Sequence, residues 1–190
     1  MSFLEPLGSF DLIDREEANE ALVRWGHRMG AINRPLYRAP IDFGLRKKGE
    51  LLAVACSDTL IRETCGFNRG DAFELSRLCA AAPRLSRLIL RLWTEVGFAE
   101  ISRAWKTPWA ISYQNAKMHK GDLYRFDGWA RLKETSGGAD PRSSDATVTA
   151  NKRVIWGWHP SSLVRAEKVV ALAKEDSDRK EREKLSRRAA

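Results

Sequence analysis

His27, Glu74, His119 and Tyr124 are the side chains of this sequence best suited to moving protons, and Asn115 stands among them. An imidazole titrates near neutrality and can serve as acid or base. The Tyr124 phenol can return a proton to a leaving group or ligate a metal. Asn115 has no basic site, so acid–base work falls to His27, His119 or Glu74. Glu74 has two readings of equal weight, a carboxylate lining a site or a partner for a basic group on a neighbouring strand. His159, before Pro160, reads as an ordinary polar residue. Cations stand beside these groups: Arg28 and Arg34 follow His27, while Lys117, Lys120 and Arg125 surround His119 and Tyr124. Basic side chains placed so suit phosphate contacts and salt-sensitive binding. Cys56, Cys65 and Cys79 have no CxxC or Cys/His ligand spacing, so no metal ligand set is assigned. Cys56 and Cys79 sit in apolar runs and read as buried thiols of a reducing cytoplasm.

The elements that must position these residues follow from periodicity and caps. Asp14 caps a helix with Glu17 at the capping-box position, and Ala18, Ala21, Leu22 and Trp25 form its apolar stripe. Gly26 and Gly30 end it, leaving His27 on an irregular exit, and Asn33 to Pro40 is loop. The segments 43–46 and 51–56 flank a hairpin turn at Gly49. Residues 72–79 alternate as a strand, with Phe73, Leu75 and Arg77 on one face and Glu74, Ser76 and Leu78 on the other. Pro83 fits the first helical position, apolar spacing carries that helix to Val96, and Gly97 stops it. Strands follow at 109–113, 129–133 and 152–158, with one or two helical turns at 121–126 and a loop from Thr135 to Thr149. A helix from Ser162, apolar and then charged, closes the chain. The order predicts an α/β fold with a mixed central sheet, ligands binding where strands splay at their carboxyl ends. Leu78 to Arg87 and Ser112 to Tyr124 lie at such ends.

Several of these segments together resemble one family. They are Glu74-Leu-Ser-Arg-Leu, Pro83-Arg-Leu-Ser-Arg-Leu-Ile, Ile111-Ser-Tyr-Gln-Asn-Ala-Lys-Met-His-Lys-Gly-Asp-Leu-Tyr124 and Phe126-Asp-Gly-Trp129. They resemble the Mom-type DNA-modification proteins of phages, a branch of the GNAT (N-acetyltransferase-like) superfamily. The segments 21–30 and 49–56 fit the same layout, so the resemblance spans residues 15–135 and leaves out the basic tail. It implies a GNAT-like sheet with splayed strands and helices on both faces. It also implies an enzyme that converts adenine N6 in double-stranded DNA to the carbamoylmethyl form and protects that DNA from restriction. It implies acetyl-CoA or a related acyl-CoA in the sheet's V-shaped opening, and iron as a further cofactor. His27 and Tyr124 occupy the family's histidine and tyrosine, while Asn115 stands where the family often has Asp. The family's glycine-rich pyrophosphate loop has no counterpart, because no glycine occurs between Asp71 and Gly97. Leu78, Cys79, Arg84, Ser86 and Arg87, around a helix start with unbonded N–H groups, are the cofactor-binding candidates.

Composition bounds the partners. The formal charge is +8, which points to a polyanion, nucleic acid first. No run approaches 18 apolar residues and no secretory signal is seen at the start, so a cytoplasmic protein without a membrane partner is expected. The expected division is a catalytic domain over 1–160 and a basic helix or tail over 161–190. From Arg165 on, nine basic and six acidic residues give +3, with Asp178/Arg182 and Glu183/Arg187 as i, i+4 pairs. Seven tryptophans are more than core filling needs. Trp25, Trp105, Trp109, Tyr113 and Trp129 are candidates for stacking on a flipped base, each read first as core. The alternatives are an acyltransferase of the same fold acting on another amine, and a non-catalytic DNA-binding module.

Overall fold

Alternating and helical apolar patterns sort the chain into nine strands and five α-helices in a computed structural model that describes residues 8–135, 138–139, 149–150 and 152–189. They fall into two compact units, residues 1–111 and 112–190.

The first unit opens with β1 (Ser9–Ile13) and α1 (Arg15–Arg24). Asp14 caps α1 as expected, its side chain accepting the Glu17 N–H at 2.7 Å. The buried stripe Ala18, Ala21 and Leu22 packs on Ile32, Leu51, Val54 and Cys56. β2 (Ile41–Lys47) and β3 (Glu50–Thr59) pair antiparallel across Lys48 and Gly49, both at positive φ. Such a two-residue turn matches the strands' twist and favours glycine at its second position. β4 (Ala72–Ala80) pairs antiparallel with β3 and parallel with the start of β5 (Trp109–Asn115), giving the order β1-β2-β3-β4-β5. A parallel neighbour demands a crossover. It consists of α2 (Leu85–Leu92), a π-helical turn (Trp93–Gly97) and α3 (Phe98–Trp105).

Three local expectations are corrected. Gly97 does not stop the helix. It keeps helical angles, and a Cβ there would stand 3.1 Å from the Phe43 ring and 3.2 Å from Trp93, so the glycine serves close packing. The helix ends instead at Lys106, which is left-handed. Pro83 is not the first helical residue: α2 begins at Leu85, after turns in which Leu85 and Ser86 N–H groups bond to the Ala82 and Pro83 carbonyls. The alternation of β4 is broken, because Cys56 faces Arg77 while Ser57 faces Leu75. Ser76 is therefore an extra residue, a β-bulge.

The second unit contains the end of β5, α4 (Asp122–Arg125), β6 (Ala130–Glu134), β7 (Gly138–Ala139), β8 (Thr149–Ala150), β9 (Arg153–Trp158) and α5 (Ser162–Ala189). Its order is β5-β9-β6, with β6 and β9 antiparallel and α5 packed on β6. Of the loop expected from Thr135 to Thr149, Gly138–Ala139 pairs with Thr149–Ala150, and residues 136–137 and 140–148 lie outside the described residues. The ion pairs on α5 join Arg179 to Asp176 and Glu183, not the pairs expected. No helix among the described residues is long and apolar enough to cross a membrane.

The tryptophans are largely core. Trp105, Trp109 and Trp129 are buried, which removes them as stacking surfaces, whereas Trp25 and Tyr113 remain half-buried. Phe73 is fully buried among the rings of Trp93, Phe98 and Trp105, with centroids 5.5–5.9 Å away. Phe73→Ala removes the ring that ties the crossover helices to β4. It should cost about 3–5 kcal/mol of stability, read by urea unfolding.

Candidate active site

Within the first unit, charge is buried on the central strands. Asp42 of β2, Asp58 of β3 and Glu74 of β4 are all buried. Isolated carboxylates there would be costly, so each has found cationic partners. Arg15, at the start of α1, grips Asp42 with Nε at 2.6 Å and Nη2 at 3.0 Å, and reaches Asp58 with Nη2 at 3.1 Å. Arg34, from the loop after α1, donates to Glu74 Oε2 at 2.9 Å and lies 3.4 Å from Asp58. The bulged Ser76 donates to Asp58 Oδ2 at 2.5 Å. Burial pushes the Asp42 and Glu74 carboxyls up, against the pull of Arg15 and Arg34 respectively. Glu74 thus pairs with a cation, as one of its two readings has it, but the cation comes from a loop rather than a strand. Arg34, expected among the phosphate contacts, turns its guanidinium inward and would have to leave Glu74 and Asp58 to meet DNA.

His27 sits half-buried on the exit of α1, and Arg28 beside it is exposed. The His27 Nδ1 accepts the Met29 N–H at 3.3 Å, which places the proton of the neutral ring on Nε2. Burial first, then the charge of Arg77, lowers the His27 pKa. Arg77 is half-buried; its Nη1 bonds to the Ser76 carbonyl at 2.7 Å, and its buried Nε has no hydrogen-bond partner.

The cofactor candidates lie further along β4. The parallel register with β5 ends at Glu74↔Ile111, two residues before the bulge, and β4 continues to Ala80 against β3. Leu78 and Cys79 are half-buried on that continuation, and burial raises the Cys79 thiol pKa. Arg84 and Arg87 are exposed and Ser86 half-buried around the first turn of α2, which no side chain caps. A shallow groove of about 740 Å³ runs along α1 past Arg15, Asn19, Val23 and Ala31, and none of the expected site residues lines it.

Within the second unit, the Tyr124 segment is a tightly built turn. Tyr124, on α4, is buried, its hydroxyl 2.9 Å from Ser112 Oγ of β5. Its ring stacks on Trp156 at 5.6 Å and meets Trp129 edge-on at 5.2 Å. Burial, partly offset by the Ser112 hydrogen bond, pushes the phenol pKa up, so Tyr124 holds its proton at neutral pH. Asn115 organises the loop after β5: its Oδ1 accepts the Lys117 N–H, and its carbonyl accepts those of Met118 and His119. Lys117, His119 and Lys120 are exposed on that loop. Arg125 is exposed too, paired with Asp122 and lying over the Phe126 ring. Buried Gln114 accepts the Trp156 Nε1–H at 2.6 Å and donates to the His119 carbonyl at 2.5 Å.

Arg15, Asp42, Asp58, Arg77, Ser112 and Gln114 were not among the expected site residues. Asp42 and Asp58 did carry a signal, an acid inside an otherwise apolar strand. Among the described residues no group of three or more His, Cys, Asp or Glu side chains is arranged to hold a metal ion. The iron implied by the resemblance therefore finds no ligand set there.

The sheet orders and the helical crossover can be matched to solved structures. An N-acetyltransferase from Staphylococcus aureus Mu50 matches with TM-score 0.54 and 9% identity, over 81% of this chain and 98% of that one. The ribosomal-protein-S18-alanine N-acetyltransferase from Escherichia coli matches with TM-score 0.54 and 14% identity, over 81% and 94%. Arabidopsis thaliana NAA60, solved in complex with acetyl-CoA, matches with TM-score 0.54 and 10% identity, over 80% and 98%. The fold is that of the GNAT N-acetyltransferases. No protein-family model matches the sequence, and neither does any protein of curated function. At these identities the likeness to GNAT enzymes is one of fold.

Two measurements check the site's construction. Gly121, at φ +82°, caps α4, and a Cβ there would stand 2.6 Å from Gln114 Oε1 and 2.8 Å from Trp156 Cζ2. Gly121→Ala should therefore cost about 1–3 kcal/mol in thermal unfolding, through both strain and overlap. His27, with its pKa lowered on folding, stabilises the fold above the unfolded value of about 6.5, and that contribution is lost as pH falls. His27→Gln should flatten the loss of stability between about pH 7 and about pH 5, leaving the part due to His159, whose pKa is also lowered.

Proposed function

We propose that this protein transfers an acyl-type group from an acyl-CoA donor to an amine, and that the amine is N6 of adenine in duplex DNA. The observation that carries the transfer reading is the GNAT fold with a β4 whose parallel pairing ends at Glu74 beside a bulge. A strand edge released from pairing offers N–H and C=O groups to the amides of a pantetheine arm, as added strands do elsewhere. Leu78 and Cys79 would line that arm, and the side chains of Arg84, Ser86 and Arg87 at the start of α2 would hold its phosphates, the Leu85 and Ser86 N–H groups being already bonded to the Ala82 and Pro83 carbonyls. Acyl-CoA would supply an activated thioester. The absent glycine-rich loop leaves phosphate binding to the first turn of α2 and its arginines.

The acceptor reading rests on the resemblance of the Glu74, Pro83 and Ile111–Tyr124 segments to Mom-type proteins, and on the exposed cations Arg28, Lys117, Lys120 and Arg125. An adenine amino group is weakly nucleophilic and has a proton to lose, so a base is needed on its side. Glu74, His27 and His119 are the groups available, His27 being kept neutral by its surroundings. The resemblance gives the acid's place to Tyr124, whose raised pKa keeps a proton at neutral pH and whose hydroxyl lies against Ser112. Because Trp105, Trp109 and Trp129 are core, a flipped base would have to stack on other rings, Trp25 and Tyr113 being half-exposed.

Mass spectrometry of nucleosides from cells expressing the protein tests both parts. Wild-type protein should yield a new adenine adduct, reduced at least about 100-fold by Tyr124→Phe and abolished by His27→Ala. Unmodified nucleosides with CoA-dependent acylation of another amine would keep the transfer reading and remove adenine. Salt-sensitive DNA binding without any turnover would leave only a DNA-binding module.

A further inference from the structure

Gln114 belongs to none of the roles assigned above, yet its buried side chain is held at both ends. It is 5% exposed, and both ends of its amide are used. Oε1 accepts the Trp156 indole N–H at 2.6 Å, and Nε2 donates to the His119 backbone carbonyl at 2.5 Å. The Cβ-less Gly121 lets the amide sit against the end of the loop, where any side chain would overlap it. Trp156 in turn stacks on Tyr124. The loop 115–120, with Lys117, His119 and Lys120 exposed, is thus tied at its start by Asn115 and at its end by Gln114.

We propose that Gln114 is a positioning residue for the acceptor: its amide fixes the basic loop against the aromatic wall behind Tyr124, so that Lys117 and Lys120 meet the DNA backbone pre-ordered. The inference rests on the DNA reading above and names where on the chain that DNA is held. Only a group that accepts at one end and donates at the other can serve. A carboxylate keeps the bond from Trp156 but cannot donate to a carbonyl, whereas a protonated carboxyl can do both. Gln114→Glu therefore converts a fixed tether into one that depends on pH, and burial will raise the carboxyl's pKa toward the accessible range.

The full-length protein is titrated with a fluorescein-labelled duplex of about 20 base pairs, at several salt concentrations and at about pH 8 and about pH 5. Gln114→Glu should bind about tenfold more weakly than wild type at the higher pH, the loss of one buried hydrogen bond, and recover at the lower one. Backbone amides of Lys117 to Lys120 should exchange faster in the variant at the higher pH only. Lys117→Ala should lower the salt slope by about one at both pH values, a loss without recovery. Should Gln114→Glu fail to fold at the higher pH, Gln114→Met keeps the volume without charge or hydrogen bonds and should show the tenfold loss at both pH values. If wild type and Lys117→Ala behave as described while the Gln114 variants bind like wild type, the inference is overturned and the DNA reading stands. If wild type does not bind DNA, the DNA reading fails and this inference with it, whatever the amide exchange shows.

Discussion

The first unit is organised around three buried carboxylates and the two arginines paired with them. Asp42, Asp58 and Glu74 come from three adjacent strands, β2, β3 and β4, and none of the three could be buried as a bare anion. The two arginines that compensate them come from elsewhere, Arg15 from the first turn of α1 and Arg34 from the loop beyond that helix. The pairing therefore does what apolar packing alone does not: it fixes where α1 begins and where the loop after it lies against the sheet. Asp58 is the shared member, taking hydrogen bonds from Arg15 and from Ser76 and standing 3.4 Å from Arg34. Loss of either arginine would strand a buried charge, a far larger penalty than the net worth of the pair.

The same network explains the bulge. Inserting Ser76 into β4 turns a hydroxyl toward Asp58 and ends the regular alternation just after the last parallel partner of Glu74. The bulge leaves Ser76 without a residue opposite it on β3, so that its hydroxyl is at hand for Asp58.

Much of the scaffold was legible because local chemistry decides it. Asp14 with Glu17, the Lys48-Gly49 turn and the apolar spacing from Leu85 are short-range signals, and each element begins within two residues of where its signal puts it. Gly97 was misread because its role is set by Phe43, more than fifty residues away, and no local rule distinguishes a glycine that ends a helix from one that makes room for a ring. β1 escaped notice because its exposed Asp11 and Leu12 break any simple alternation of buried and exposed residues. Tyr124 and the loop before it were singled out by the family resemblance, and residues 121–126 by themselves read only as one or two helical turns. The partners that restrain them, Ser112 and Gln114, were not picked out, because an uncharged polar residue inside a strand gives no sign of which group it will bond.

The basic, tryptophan-rich composition also takes on a narrower meaning. Most of the tryptophans are structural: Trp93 donates its indole N–H to Ser57, Trp156 donates to Gln114, and Trp105, Trp109 and Trp129 are buried. Indole is chosen at the first two positions because the core there contains a polar atom that must be satisfied, which phenylalanine could not do. The positive charge, by contrast, divides by burial. Arg15 and Arg34 neutralise internal acids, while Arg28, Lys117, Lys120 and Arg125 stay at the surface. An anionic partner can be drawn by the second group, and by other exposed cations such as Arg84 and Arg87, but not by the first. The formal +8 therefore overstates the case for a polyanion in one respect and sharpens it in another, because the first group is committed to holding the fold and the exposed cations include those on the single loop that Gln114 restrains.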